Sequence, residues 1–229
     1  MNHLTNTFGQ TSEKFRVVLV EDHPMFREQL AHLINKEPDM CICGEADNIR
    51  DALELLQSAS ADIVIVDLTL KGPSGLELLK DLKAHQVNVP VLVLSMHDEL
   101  LYAERVLRAG ARGYITKNQT SNEVMAAIRK VLNGHVYLGS EMASRVLENF
   151  STQPKTEKGV ALLTDRELEI FELIGCGRTT REISSSLRLG MSTIDTYRTR
   201  IKAKLNLEDA SQLCHEAIRW VSAGQKAPS

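Results

Sequence analysis

The chain has 229 residues, 43% hydrophobic, 25% charged and 4% aromatic, with 13 Gly and 6 Pro, a composition that excludes collagen-like, mucin-like and wholly disordered classes. The length suits two modest domains, each able to bury its own core. The net charge of -3 is uneven: residues 1–160 carry 17 basic and 21 acidic side chains against 10 and 9 in 161–229, and 188–206 sets Arg188, Arg198, Arg200, Lys202 and Lys204 against Asp195 alone, a local +4.

The first 15 residues are polar and lack the apolar segment of a signal peptide. Apolar runs such as 63–66 and 89–94 fall far short of the roughly 20 residues that span a bilayer. No membrane association and a cytoplasmic location are therefore expected. The four cysteines, Cys41, Cys43, Cys176 and Cys214, contain no CxxC pair, and reduced thiols are expected rather than disulfides or a zinc site.

In chain order, short Val- and Ile-rich runs at 17–20, 63–66 and 91–94 read as strands apolar on both faces, with weaker strands at 41–46 and 114–115. Between and after them the spacing predicts helices over 24–35, 49–58, 76–85, 100–109 and 122–132. Strands buried on both faces belong to a parallel sheet covered by helices on each side, so an α/β fold of the doubly wound (βα)5 kind is expected. A further helix is predicted over 140–149, followed by a polar linker at 151–159.

Beyond the linker, four capping boxes are predicted to start four helices: Thr164 with Glu167, Thr179 with Glu182, Ser192 with Asp195, and Asp209 with Gln212. Only 188–191 separates the second helix from the third, with Gly190 available for the turn, which is helix-turn-helix spacing. The expected organisation is a tail at 1–14, an α/β domain at 15–138, a linker helix and flexible linker at 139–160, an all-α domain at 161–224 and a tail at 225–229.

Ligands of an open parallel sheet sit at the carboxyl ends of its strands, where strand order reverses. Glu21 and Asp22 follow the first strand and Asp67 follows the third. Converging carboxylates repel, and a hard divalent cation with oxygen ligands relieves them; Mg²⁺ is the usual choice where phosphate is handled. Ser95 closes the fourth strand and Lys117 lies just past the fifth. A carboxylate nucleophile, a metal cluster, a hydroxyl and an ammonium are the parts needed to accept a phosphoryl group, with Asp67 as nucleophile.

At VVLVEDHPMFREQL (17–30), IVIVDLTLKGPSGLELL (63–79), VLVLSMHD (91–98) and AGARGYITK (109–117) the sequence resembles the flavodoxin-like receiver domain of two-component response regulators of the NarL/FixJ type. The resemblance implies that a sensor histidine kinase phosphorylates Asp67. It further implies that Glu21, Asp22 and Asp67 hold Mg²⁺ with the backbone carbonyl of Thr69, that Lys117 contacts the phosphoryl group, and that Ser95 and Tyr114 form a switch pair.

In the second domain, a helix beginning after Ser192 places Ile194, Tyr197, Ile201 and Leu205 on one apolar face and Asp195, Thr196, Thr199, Arg200, Lys202 and Ala203 on the others. One buried stripe beside a cationic, hydroxyl-rich side fits a DNA major groove. The segments LTDRELEIFELIGCGRTTREISSSLRL (163–189) and STIDTYRTRIKAKLNL (192–207) look like the LuxR-type DNA-binding domain. That resemblance implies a recognition helix at 193–205, beginning at Thr193, and a fourth helix at 209–221 used for dimerisation. It assigns duplex backbone contacts to Arg200, Lys202, Lys204 and Thr179 and base contacts to Asp195, Thr196 and Thr199. Asp195 departs from the family's basic or neutral residue, and both capping and acceptance from a cytosine amino group remain open for it.

The expected function is a phosphorylation-switched transcription factor that is not an enzyme and dimerises on promoter DNA. One alternative is a receiver that only docks proteins, insensitive to phosphate. An aspartate-nucleophile phosphatase is disfavoured because Thr69 stands where those enzymes resemble one another in carrying a second Asp. Nucleotide-binding readings lack GxGxxG and GxxxxGK[ST].

Overall fold

The computed structural model describes residues 14–70, 74–96, 99–140, 142–144 and 159–224. Five strands, β1 (Phe15–Val20), β2 (Met40–Ala46), β3 (Ile63–Val66), β4 (Val91–Ser95) and β5 (Gly113–Thr116), alternate with α1 (Pro24–Lys36), α2 (Ile49–Ser58), α3 (Gly75–Ala84), α4 (Glu99–Ala109) and α5 (Ser121–Leu132). The strands are all parallel in the order β2-β1-β3-β4-β5, so strand order reverses between β1 and β3.

Period-two alternation explains why these strands are apolar on both faces. Val18, Val20, Val64, Val66, Val91 and Val93 pack under α2, α3 and α4. Val17, Leu19, Ile63, Ile65, Leu92 and Leu94 pack against α1 and α5. Each such fully buried side chain contributes about 1.5–3 kcal/mol relative to exposure, which is why one-faced patterns are absent from the central strands.

Ser140 and residues 142–144 are helical; the rest of the predicted linker helix, the linker at 151–158, the tail at 1–13 and the tail at 225–229 lie outside the described residues. A 3₁₀ turn at Gly159–Leu162 leads into α6 (Asp165–Gly175), α7 (Thr180–Leu187), α8 (Met191–Leu205) and α9 (Ala210–Gly224). Their core is Leu168, Phe171, Ile174, Ile183, Leu187, Ile194, Ile201, Leu213 and Ala217, with the Phe171 and Trp220 rings 5.7 Å apart at 56°, a tilted pairing that aromatic quadrupoles favour.

Three expectations for the second domain are corrected. The capping boxes of Thr164 with Glu167 and Thr179 with Glu182 form, but Ser192 with Asp195 does not, because α8 begins at Met191 with Gly190 as an extended N-cap. The Thr193 and Ile194 amides close the first turn on the Gly190 carbonyl, leaving Ser192 inside the helix. The turn between α7 and α8 is likewise made by Arg188, left-handed at φ 53°, rather than by Gly190, whose φ is -63°. Asp209 caps α9 by accepting from the Gln212 amide, while Gln212 reaches the Glu208 amide instead of that of Asp209.

Candidate phosphoacceptor site and nucleic-acid interface

Ladder bonds carry the functional residues past the strand ends. The Glu21 amide donates to the Ala46 carbonyl at 3.0 Å, the Asp67 amide to Val20 at 2.9 Å and the Lys117 amide to Ser95 at 2.8 Å. Glu21, Asp22, Asp67 and Ser95 are all buried, at 1%, 8%, 3% and 0% exposure, a clustering of carboxylates that burial alone opposes. Gly75 makes the loop after Asp67 possible: a Cβ there would lie 2.1 Å from the Asp67 carbonyl oxygen.

The Lys117 ammonium bridges the pocket, donating to Glu21 Oε2 at 2.5 Å and to Asp67 Oδ2 at 2.9 Å. The Phe26 ring centroid lies 4.4 Å from it, a cation–π contact that adds to its restraint. The Thr69 amide donates to Asp67 Oδ1 at 3.2 Å. Even so, burial dominates at Asp67 and pushes its carboxyl up to about 6, against the attraction of Lys117 and with added repulsion from Glu21.

On the other side of Glu21, the imidazole Nδ1 of His23 lies 3.0 Å from Glu21 Oε1 and 2.9 Å from Asp22 Oδ1. That Asp22 oxygen is buried and has no hydrogen-bond partner, since the imidazole approaches outside hydrogen-bonding geometry. One donor atom from each of Glu21, Asp22, His23 and Asp67 falls within 4.8 Å of the others. An acidic donor set with an orphaned buried carboxylate oxygen fits a divalent cation, and the cluster can hold one.

Ser95 and Tyr114 occur on neighbouring strands, two residues apart in their pairing: Val93 opposite Tyr114 and Ser95 opposite Thr116. Both are fully buried. Glu21, Asp22, Asp67, Ser95 and Lys117 thus meet at one sheet edge, at the ends of β1, β3, β4 and β5, while Tyr114 lies within β5.

In the second domain, Thr193, Asp195, Thr196, Thr199 and Arg200 lie on the exposed side of α8 and Lys202 is half-buried, opposite the buried Ile194 and Ile201. The Thr196 and Thr199 hydroxyls donate to the Ser192 and Asp195 carbonyls, which leaves their oxygen lone pairs and methyl groups facing outward. The guanidinium of Arg200 sits 5.9 Å from the Tyr197 ring centroid.

Two assigned contacts have structural employment. Thr179 caps α7 in its box with Glu182. The Lys204 ammonium donates to Glu167 Oε2 at 2.6 Å and to the Leu162 carbonyl at 3.3 Å. Glu167, otherwise disfavoured by burial, is held below its ordinary range by Lys204 and the Thr164 cap.

A contact between the domains was invisible in the sequence. The Tyr102 hydroxyl on α4, 5% exposed, donates to Glu172 Oε2 on α6 at 2.8 Å. Arg105 donates to the Leu163 carbonyl, the Val160 carbonyl and Asp165 Oδ1 at 2.7, 3.2 and 3.2 Å, and Lys80 on α3 to Asp165 Oδ2 at 2.8 Å. Burial first, then the carboxylate of Glu172, raises the Tyr102 phenol well above its ordinary range. The apolar cluster on this face of the sheet continues through Met142 and Leu163 into the helical core.

A five-stranded parallel sheet with an acid pocket at its switch point, joined to a helix-turn-helix unit, defines a receiver coupled to a DNA-binding domain. The receiver-domain profile of response regulators matches residues 17–129, and that of the bacterial regulatory proteins of the luxR family matches 161–217. The response regulator UvrY of Escherichia coli strain K12 is 33% identical over 203 residues, covering 89% of this chain and 93% of UvrY. A two-component response regulator of the LuxR family from Aurantimonas sp. SI85-9A1 superposes with a TM-score of 0.56 at 31% identity, over 61% of this chain and all of that one. The RcsB response regulator of Salmonella typhimurium shares the fold at a TM-score of 0.62 and 22% identity, over 90% of this chain and 98% of RcsB. The chain belongs to the NarL/FixJ-type response regulators, with a receiver and a LuxR-type DNA-binding domain. Among the described residues, no helix is long and apolar enough to cross a membrane.

Proposed function

We propose that Asp67 accepts a phosphoryl group from a sensor histidine kinase, and that this modification controls engagement of promoter DNA by α8. The observation that carries the reading is the buried, bridged geometry of Asp67: one carboxylate oxygen bonded to Lys117 and the other to the Thr69 amide, with Glu21 and Asp22 beside it. Glu21, Asp22, Asp67 and the Thr69 carbonyl would hold Mg²⁺, whose charge, when bound, offsets that of the acid cluster and the transferring group.

The ionised Asp67 oxygen forms a bond to phosphorus as the bond from phosphorus to the donor's histidine nitrogen breaks, and the imidazole takes up a proton. Lys117 supplies a fixed ammonium for a phosphoryl oxygen, at the expense of its bond to Asp67 Oδ2. The Ser95 hydroxyl turns to another phosphoryl oxygen, and the Tyr114 ring occupies the space behind it. β4 carries Ser95 and leads into α4, so repacking there reaches Tyr102 and Arg105 and with them the junction to α6.

α8 would then enter the major groove, with Thr193, Asp195, Thr196 and Thr199 at base edges and Arg200 and Lys202 on phosphates. Asp195, released from any capping duty by the Gly190 start of the helix, is left to accept from a base amino group. Lys204 and Thr179 join the backbone contacts only as far as their intramolecular bonds allow. Paired half-sites suit a two-fold protein, and the phosphorylated chain acts as a homodimer in the cytoplasm.

Treatment with acetyl phosphate and Mg²⁺ tests the first step. A hydroxylamine-sensitive acyl phosphate is expected on wild type and absent from Asp67→Asn; equal labelling of both would overturn the assignment.

A further inference from the structure

The exposed side of α8 carries an acid where nothing in the fold calls for one. Asp195 is exposed and, among the described residues, its carboxylate has no hydrogen bond or ion pair. It is not a cap, because Gly190 holds that position, and it falls past a first turn that contains no acid, beyond the reach of the helix dipole. The cation at helical spacing from it, Arg198, donates instead to the Thr180 hydroxyl on α7 at 3.0 Å, and the Arg200 guanidinium sits by the Tyr197 ring.

Two neighbours on the same side share a property with it. The Thr196 hydroxyl gives its proton to the Ser192 carbonyl at 2.9 Å and the Thr199 hydroxyl to the Asp195 carbonyl at 3.0 Å, so each offers only oxygen lone pairs and a methyl group to a ligand. An ionised carboxylate likewise only accepts. In the major groove guanine shows two acceptors, thymine an acceptor beside its methyl, adenine an amino donor next to the N7 acceptor, and cytosine an amino donor alone. An acceptor-only carboxylate is therefore repelled by guanine, opposed at adenine by N7, and matched at cytosine.

We infer that α8 reads its half-site through acceptors and methyl groups, with Asp195 selecting a cytosine and Thr196 and Thr199 taking thymine methyls beside it. One helical turn of about 5.4 Å separates Asp195 from Thr199, against 3.4 Å per base pair, so the two address pairs one or two steps apart. The same carboxylate repels phosphates. It lowers affinity for DNA of the wrong sequence, while a cytosine amino group offsets that repulsion at the right one, so discrimination is gained from both sides. Arg200 and Lys202 supply the sequence-independent attraction against which this selection acts.

The inference deepens the reading of α8 as the groove-binding helix, rests on it, and is tested apart from it. Full-length wild type, Asp195→Ala and Asp195→Asn, each treated with acetyl phosphate and Mg²⁺, select duplexes from a random pool. Their affinities for the wild-type motif, for its single-position variants and for an unrelated duplex are then measured. Wild type is expected to prefer a C·G pair at one position by about five-fold or more, the least that a mismatched pair ordinarily costs. Asp195→Ala should lose the preference at that position alone, and Asp195→Asn should move it to an A·T pair, whose adenine N6 and N7 suit a carboxamide. Both variants should bind the unrelated duplex about two- to five-fold more tightly, as removal of one exposed repulsion allows. Preferences unchanged at every position in both variants, an Asp195-dependent preference of wild type for an A·T pair, or an unrelated duplex bound no more tightly by either variant would overturn the inference and leave the DNA-binding reading standing. No enriched sequence in wild type would overturn both.

Discussion

Replacing Asp67 by Asn should stabilise the receiver when no divalent cation is present. Burial holds the folded carboxyl at about 6, against an ordinary 3.8, so above pH 6 the folded state bears an ionised group it disfavours. The sign follows from proton linkage: the cost is absent below pH 3.8, grows as pH rises to 6, and is then constant. Two pKa units at about 1.4 kcal/mol each give roughly 3 kcal/mol at pH 7.5, and the same linkage leaves about half of that at pH 5. Urea unfolding in EDTA, followed by circular dichroism at both pH values, measures the difference between Asp67→Asn and wild type. A variant no more stable than wild type at pH 7.5, or a gain that does not shrink at pH 5, would refute the account of burial as the dominant cause.

Gly75→Ala should destabilise the receiver by about 1–3 kcal/mol, as overpacking does, because its Cβ would meet the Asp67 carbonyl at 2.1 Å; an unchanged urea midpoint would contradict the close approach. Lys202→Ala should lower the log–log salt slope of DNA binding by about 0.9, as expected for one phosphate contact. Lys204→Ala should lower it less, because Glu167 already holds that ammonium, and equal slope changes would contradict the ion pair's persistence on DNA. Tyr102→Phe combined with Arg105→Ala should separate the calorimetric unfolding of the two domains, which lose the Tyr102–Glu172 bond and the three Arg105 bonds; a scan superposing on that of wild type would show the junction to be energetically idle.

The strands were legible because burial on both faces leaves a run such as Ile63–Val66 with no polar position to hide it. β2 was fainter for a physical reason: it is an edge strand, and four of its seven positions in a row are only partly buried. The acid pocket could be read because Glu21, Asp22, Asp67, Ser95 and Lys117 each follow a strand, and parallel strands deliver their carboxyl ends to one edge.

The start of α8 could not be read, since Ser192 and Asp195 have the right spacing for a cap and only the backbone of Arg188 to Gly190 decides where the first turn closes. The junction was equally hidden. Tyr102 and Glu172 are 70 positions apart, Lys80 and Asp165 85, and neither side chain carries a local pattern that names its partner. A helix face containing Tyr102 and Arg105 reads the same whether it meets solvent or another domain.

Selection of duplex DNA from a random pool, by wild type and Asp67→Asn, each with and without acetyl phosphate and Mg²⁺, addresses the coupling of the two domains most directly. Enrichment of a specific sequence should rise on phosphodonor treatment in wild type alone. Identical enrichment by both proteins, or a gain in the variant equal to that in wild type, would contradict control of α8 by the charge on Asp67.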